Sequence, residues 1–207
     1  RVNYNLAEKY IINLNGRRDG SSRFGPGKQF ANFWATGAAW IFSSEKYFKE
    51  NVKFLSFGKL RGSYGSTGND LIGNYNYLDL YGQTNYPYQN QPSLFPVNLF
   101  NSDYSWELIK KLDIALDLGI LHNRIFITAD WFKNKSSNQI INYSLPSQTG
   151  FNYVLKNFPG VVQNSGIEFS LNTENIKGKK ITWTTAFNIT IEKNKLLKFP
   201  DLETSSY

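Results

Sequence analysis

The amino-acid sequence predicts an all-β fold, an antiparallel transmembrane β-barrel segment of about eight strands. Three observations predict it. Apolar and polar residues alternate with period two over long stretches, charged side chains sit mid-strand on the polar face, and the connections alternate between short and long.

The first strand is Val2-Asn3-Tyr4-Asn5-Leu6, where every second residue is apolar. After the brief turn Ala7-Glu8-Lys9, Tyr10, Ile12 and Leu14 share one face, while Asn13, Asn15 and Arg17 share the other with Ile11. A third strand covers roughly 33–42, with Trp34 and Trp40 near its ends. The segment Ser43 to Lys49 is expected to form one or two helical turns with a serine as N-cap. The fourth strand, about 54–65, sets Leu60, Gly62 and Tyr64 against Lys59, Arg61 and Ser63.

The fifth, about 107–120, alternates most regularly: Leu112, Ile114, Leu116, Leu118 and Ile120 oppose Asp113, Ala115, Asp117 and Gly119. A tight turn through His122 leads to the sixth, where Ile125, Ile127, Ala129 and Trp131 oppose Phe126, Thr128, Asp130 and Phe132. The seventh sets Ile167, Phe169 and Leu171 against Glu168, Ser170 and Asn172. In the eighth, Trp183, Phe187, Ile189 and Ile191 oppose Thr184, Asn188, Thr190 and Glu192. Many of these runs approach the roughly 9–11 residues of a tilted membrane-spanning strand.

The connections near 7–9, 43–53, 121–123 and 174–180 are short to moderate, whereas those near 19–32, 66–106 and 137–165 are long. Outer-membrane barrels have short periplasmic turns and long extracellular loops, so the count places the three long loops on one side. Lys59, Arg61, Asp113, Asp117, Asp130 and Glu168 then fall on a water-filled lumen opposite a lipid-facing band.

Composition narrows the field without deciding it. Aromatics reach 16%, with 13 Tyr, 16 Phe and 5 Trp, and Asn, Gly, Ser and Thr are abundant. A soluble β-sandwich and a membrane barrel both fit that mixture. With no cysteine there is no disulfide, thiolate metal site or cysteine nucleophile. The net charge is +7, but the basic residues are scattered and no basic helix or run of nucleic-acid type occurs, so no nucleic-acid partner is expected. No stretch approaches the roughly 20 apolar residues of a membrane helix. The first residues already read as mid-strand and methionine is absent, so the expectation is a piece of a longer polypeptide, with residues 1–207 forming part of a barrel domain.

Catalytic constellations are weak. His122 is the single histidine, which leaves neither a metal cluster nor a Ser-His-Asp triad; no metal, no cofactor and no enzymatic activity are expected. Asp113, Asp117 and Asp130 on adjacent strands keep a surface glycosidase as a minor alternative. A soluble carbohydrate-binding β-sandwich is the other. The 66–106 loop carries Tyr75, Tyr77, Tyr81, Tyr86 and Tyr88 among Asn, Gln and Pro. Such rings and amides stack on sugars or bind peptide backbone; equally, they fold a loop on itself.

Several ordered motifs carry a family resemblance. Leu14 to Gly25 contains Arg17-Arg18-Asp19-Gly20-Ser21-Ser22-Arg23-Phe24-Gly25, similar to R-x-D-G-S-S-R-F-G. Lys59 to Asn69 resembles K-L-R-x-S-Y-G-x-T-G-N. Trp106-Glu107, followed by Leu112 to Asp117, is similar to W-E-x-x-x-x-L-x-x-G-L-D, with Ala115 where glycine is usual. Thr128 to Lys135, Leu145 to Phe151 and Asn164 to Glu168 continue the series, with Ser165 where lysine is common. In order across nearly the whole chain, these motifs resemble the barrel of SusC/RagA-type TonB-dependent transporters. The resemblance implies a large plugged barrel in the bacterial outer membrane, with residues 1–207 part of its barrel domain and the plug and TonB box expected outside this chain. It also implies import of oligosaccharides or oligopeptides, energy from TonB, and a SusD-like surface lipoprotein over the extracellular loops.

Overall fold

Strict alternation turns successive side chains to opposite faces, and a strand with one apolar face needs neighbours in matching register. The computed structural model, which describes residues 1–86, 89 and 91–200, meets that need with one antiparallel sheet of eight strands. Its strands in order are β1 (Val2–Leu6), β2 (Tyr10–Gly20), β3 (Phe30–Trp40) and β4 (Leu55–Asn69), then β7 (Glu107–Ile120), β8 (Ile125–Ser144), β9 (Tyr153–Lys177) and β10 (Thr182–Lys198). The two intervening strands, β5 (Leu80–Gln83) and β6 (Leu94–Asn98), pair as a separate hairpin inside the longest loop. Neighbours in the large sheet are consecutive in the chain apart from that insertion, so it is an up-and-down meander.

Register fixes the two faces. One transverse row runs Ile12, Ala38, Gly62, Ile114, Trp131, Ile167 and Ile191. The next runs Tyr10, Trp40, Leu60, Leu116, Ala129, Phe169 and Ile189. The apolar side chains therefore form a continuous band across the sheet, and many of them are exposed. Among the described residues no second sheet packs on the band, which removes the β-sandwich alternative: a sandwich buries those residues between two layers. Soluble monomers rarely expose so extensive an apolar surface.

The strands join at one end by tight turns. Ala7 and Glu8 both take positive φ, 53° and 56°, and Lys9 N donates to Leu6 O, so the three-residue connection Ala7 to Lys9 contains a β-turn whose twist matches the strands. Leu121, His122 and Asn123 also have positive φ, and Arg124 reaches from that turn to the carbonyls of Glu174 and Asn175 on β9. At the same end, a 3-10 turn at Phe42–Ser44 precedes a short helix, α1 (Lys46–Asn51). The expected serine N-cap is absent. Ser43 and Ser44 belong to the 3-10 turn, and the residue at the N-cap is Glu45, whose side chain makes no capping bond.

Glu45 is engaged elsewhere. Lys9 Nζ and Tyr10 Oη donate to its carboxylate at 2.9 and 2.8 Å, tying the β1–β2 turn to the helix. Those bonds, that of Lys9 first, hold the Glu45 carboxyl below its ordinary value of 4.5. A depressed folded-state value contributes stability that is complete above the unfolded value and lost as pH falls through the folded one. Acid unfolding of Glu45→Gln beside the parent is expected to show a gap that is full above about pH 4.5 and closes below it. A gap of equal size at all pH values would refute that coupling.

The connections at the far end depart from expectation in one place. The segment 137–165 is not a long loop: β8 continues to Ser144 and β9 begins at Tyr153, so the hairpin closes over 145–152. Its sequence hides this because the extension carries polar residues on both faces, so the ladder continues without an apolar stripe. A bulge between Ser137 and Gln139, with Asn138 at φ 58°, marks where the pattern changes.

Candidate functional site

The face opposite the apolar band carries the charges. One of its rows runs Asn5, Ile11, Ala39, Arg61, Ala115, Asp130, Glu168 and Thr190, with Lys59 opposite Asp117 and Ser63 opposite Asp113 in the flanking rows. Lys59, Arg61, Asp113, Asp117, Asp130 and Glu168 are thus brought to one face within three adjacent rows. Arg61 is the hub. Its Nε lies 3.3 Å from Asp117 Oδ2 and its Nη2 3.0 Å from Asp130 Oδ2, so one guanidinium clamps β4, β7 and β8.

To reach Asp130 the arginine passes over Ala115, the residue between them in the row, which is buried beneath. A small side chain at 115 is what leaves that path open. Thr128 Oγ1 donates to the other oxygen of Asp117 at 3.0 Å, and Ser63 Oγ donates to Asp113 at 3.3 Å. Arg61 occupies the space between Asp117 and Asp130 that a glycosidic oxygen would need, so this carboxylate set is built as a structural clamp rather than an acid/base pair. Among the described residues no group of three or more carboxylate or histidine side chains is placed to hold a metal.

The second part of the site lies at the long-loop end, where the chain has its densest packing. Phe24 and Tyr104 are 0% and 1% exposed, and Phe33 is also buried. Their rings meet Trp106: Phe24 lies 5.0 Å from it and 5.9 Å from Tyr104, and Phe33 lies edge-on to Trp106 at 5.6 Å. Gly68 makes this approach possible, because a Cβ there would collide with Phe33 and Trp106. Arg23 binds the Asp70 carbonyl at 2.7 Å and Asn74 Oδ1 at 3.1 Å, and Trp106 Nε1 donates to Gln29 O at 3.3 Å. The loops 21–29 and 70–106 are therefore one packed unit. Burial pushes the Tyr104 phenol up; Asn76 opposes that shift from nearby without reaching hydrogen-bond geometry.

Asparagines fasten this unit to the projecting β8–β9 hairpin. Asn157 accepts from Ser105 N at 2.8 Å and donates to Ser105 O at 2.7 Å and Asn138 O at 3.0 Å. Asn101 donates to Leu155 O at 2.7 Å, and Asn138 to Trp106 O at 2.8 Å. None of these asparagines stands out in sequence as a site. The motif residues Arg23, Phe24, Gly68, Asn69, Trp106 and Glu107 are the signal that pointed here, since the fold collects them in one place.

The loop tyrosines separate into two kinds. Tyr77 packs on the 21–29 loop, where a Cβ on Gly25 would meet its ring at 3.0 Å. Tyr75, Tyr81 and Tyr86 are exposed, Tyr86 at 88%. Tyr88 lies outside the described residues.

Comparison with known proteins agrees with this architecture. A family model described as TonB dependent receptor-like, beta-barrel, matches residues 1–202. The chain is 34% identical over 210 residues to TonB-dependent receptor P39 of Formosa agariphila, covering all of this chain and 20% of that protein. It is 32% identical over 213 residues to TonB-dependent receptor SusC of Bacteroides thetaiotaomicron, covering all of this chain and 21% of that protein. Among solved structures, the RagAB peptide transporter superposes with a TM-score of 0.86 at 28% identity, over 94% of this chain and 21% of that one. The chain spans about a fifth of the length of the curated relatives it matches.

Proposed function

The chain belongs to the TonB dependent receptor-like β-barrel family, and on that premise we propose that it is a stretch of the wall of an outer-membrane importer for oligosaccharides or oligopeptides. Outer-membrane location makes the apolar band its lipid face and sets the long loops on the extracellular side. The observation that carries the reading is the single open sheet: apolar residues in register on one side, and Arg61 clamped to Asp117 and Asp130 on the other. Eight strands do not close the wide lumen of a plugged transporter, so in this proposal further strands, the plug and the TonB box belong to the rest of a longer polypeptide.

The packed loops 21–29 and 70–106 then form a rigid rim that presents Tyr75, Tyr81 and Tyr86 to cargo, while a SusD-like lipoprotein covers that rim and TonB supplies the energy. SusC and the RagAB peptide transporter among the similar proteins support this, as do the exposed rings on a fixed scaffold. Transport rather than catalysis suits the polar face, where Asp117 and Asp130 are committed to Arg61. The test is uptake by cells of labelled oligosaccharide and oligopeptide mixtures, with and without the gene for the full-length receptor. Loss of one class of cargo on deletion is the expected result. Uptake of every class at the parental rate would refute it.

A further inference from the structure

The lipid face ends in cations at its extracellular edge. Lys133 stands opposite Leu112, and Lys110 directly opposite Lys135, so three lysines fill two adjacent rows of the outer side. The same rows continue through Ser165 and Gln163 on β9 to Lys193 and Lys195 on β10. Lys110, Lys133 and Lys135 line a pocket of about 290 Å³ with Tyr64 and Leu112. No carboxylate shares these rows; Asp113 and Glu192 belong to the alternate positions that face the lumen. Among the described residues none of the five lysines forms an ion pair.

This arrangement is unfavourable as it stands. Like charges directly across a ladder repel, and cations on the lipid side of a barrel strand are costly away from the interface. Lysines can reach water by extending their stems, but that mechanism does not call for five of them without a carboxylate. At the periplasmic end Lys9 is matched by Glu45 and Lys177 by Glu174, while Lys53, Lys179 and Lys180 stand in the turns, outside the apolar band. Among the described residues nothing on these rows supplies a counter-charge, and Lys110, Lys133 and Lys135 stand on β7 and β8, interior strands whose neighbours on both sides are described.

We propose that this lysine belt binds the phosphate groups of an acylated, phosphorylated lipid of the outer leaflet. The phosphate sits among Lys110, Lys133 and Lys135, and the acyl chains run down the apolar band past Leu112 and Ile114. A lipid rather than free phosphate is the occupant because the pocket floor, Tyr64 and Leu112, is continuous with the lipid-facing band. The inference rests on the outer-membrane placement of the band and not on the identity of any cargo.

The test uses full-length receptor in mixed micelles with diphosphorylated lipid A, dephosphorylated lipid A, or inorganic phosphate as competitor. The parent is expected to retain the phosphorylated lipid about 10- to 100-fold better than the dephosphorylated one, and the triple variant K110Q/K133Q/K135Q to lose that preference. Lys→Arg at the same positions keeps it. Equal retention of both lipids, an unchanged glutamine variant, or full displacement by inorganic phosphate at the lipid's own concentration would each overturn the proposal. If the glutamine variant fails to assemble, retention by the parent at rising salt decides: a salt-independent preference overturns it. Cargo uptake is read separately, so failure here leaves the transport proposal standing.

Discussion

Ile114→Arg is expected to destabilise the folded protein in lipid or micelles by about 2–4 kcal/mol, the cost of arginine near the bilayer midplane on the lipid face of a barrel. Ile114 is 46% exposed, and in a water-soluble protein a charge at so open a position changes stability by less than about 0.5 kcal/mol. The two environments therefore differ in magnitude, not only in detail. The position lies two residues inward of Leu112 and four from Lys110, well within the apolar run that ends at Ile120. Urea unfolding of the full-length receptor in lipid vesicles measures the effect. A change below about 0.5 kcal/mol would mean that this face meets water or protein instead of lipid. Thr190→Arg, exposed in the neighbouring row on the opposite face, serves as the depth-matched control for the choice of face.

The second large effect concerns the loop unit. Phe24→Ala removes a ring that is fully buried against Tyr104 and Trp106, and truncating a buried phenylalanine costs about 3–5 kcal/mol. The loss is expected to be local, because the contacts of Phe24 join the 21–29 and 70–106 loops while the strand ladder stands on its own hydrogen bonds. Protease sensitivity of those two loops should rise by roughly 100-fold or more as their opening free energy falls, with strand content by circular dichroism unchanged. Loops protected as well as in the parent would show that the aromatic cluster is not what orders the rim. Exposed Tyr86 provides the contrast: Tyr86→Ala leaves protection intact and, in the transport reading, alters cargo binding alone.

The wall is legible in the sequence. In β7 the alternation of Leu112, Ile114, Leu116, Leu118 and Ile120 with Asp113, Ala115, Asp117 and Gly119 follows from the geometry of an extended chain, and the observed register keeps each set on its own side. The loop end is legible only as a series of motifs. Arg23, Phe24 and Trp106 are far apart in the chain, and nothing in their spacing says that Trp106 Nε1 will reach Gln29 O, 77 residues away. The extension of β8 and β9 past Ser137 is concealed for a related reason: Asn138 and Asn142 on one face and Gln139 on the other break the alternation, and a strand with polar residues on both sides has no period to detect.

The all-β class, the order of the main strands and the sharing of faces follow from sequence, because each depends on local period-two geometry and on the alternation of short and long connections. Other features exist only once the sheet and its loops have closed. Arg61 spans a buried Ala115 between two carboxylates, Phe24, Phe33, Tyr104 and Trp106 gather into the packed core of the loop end, and five lysines align along the edge of the lipid face. Those contacts depend on cross-strand register and loop closure, which bring together residues that no short window of the chain contains.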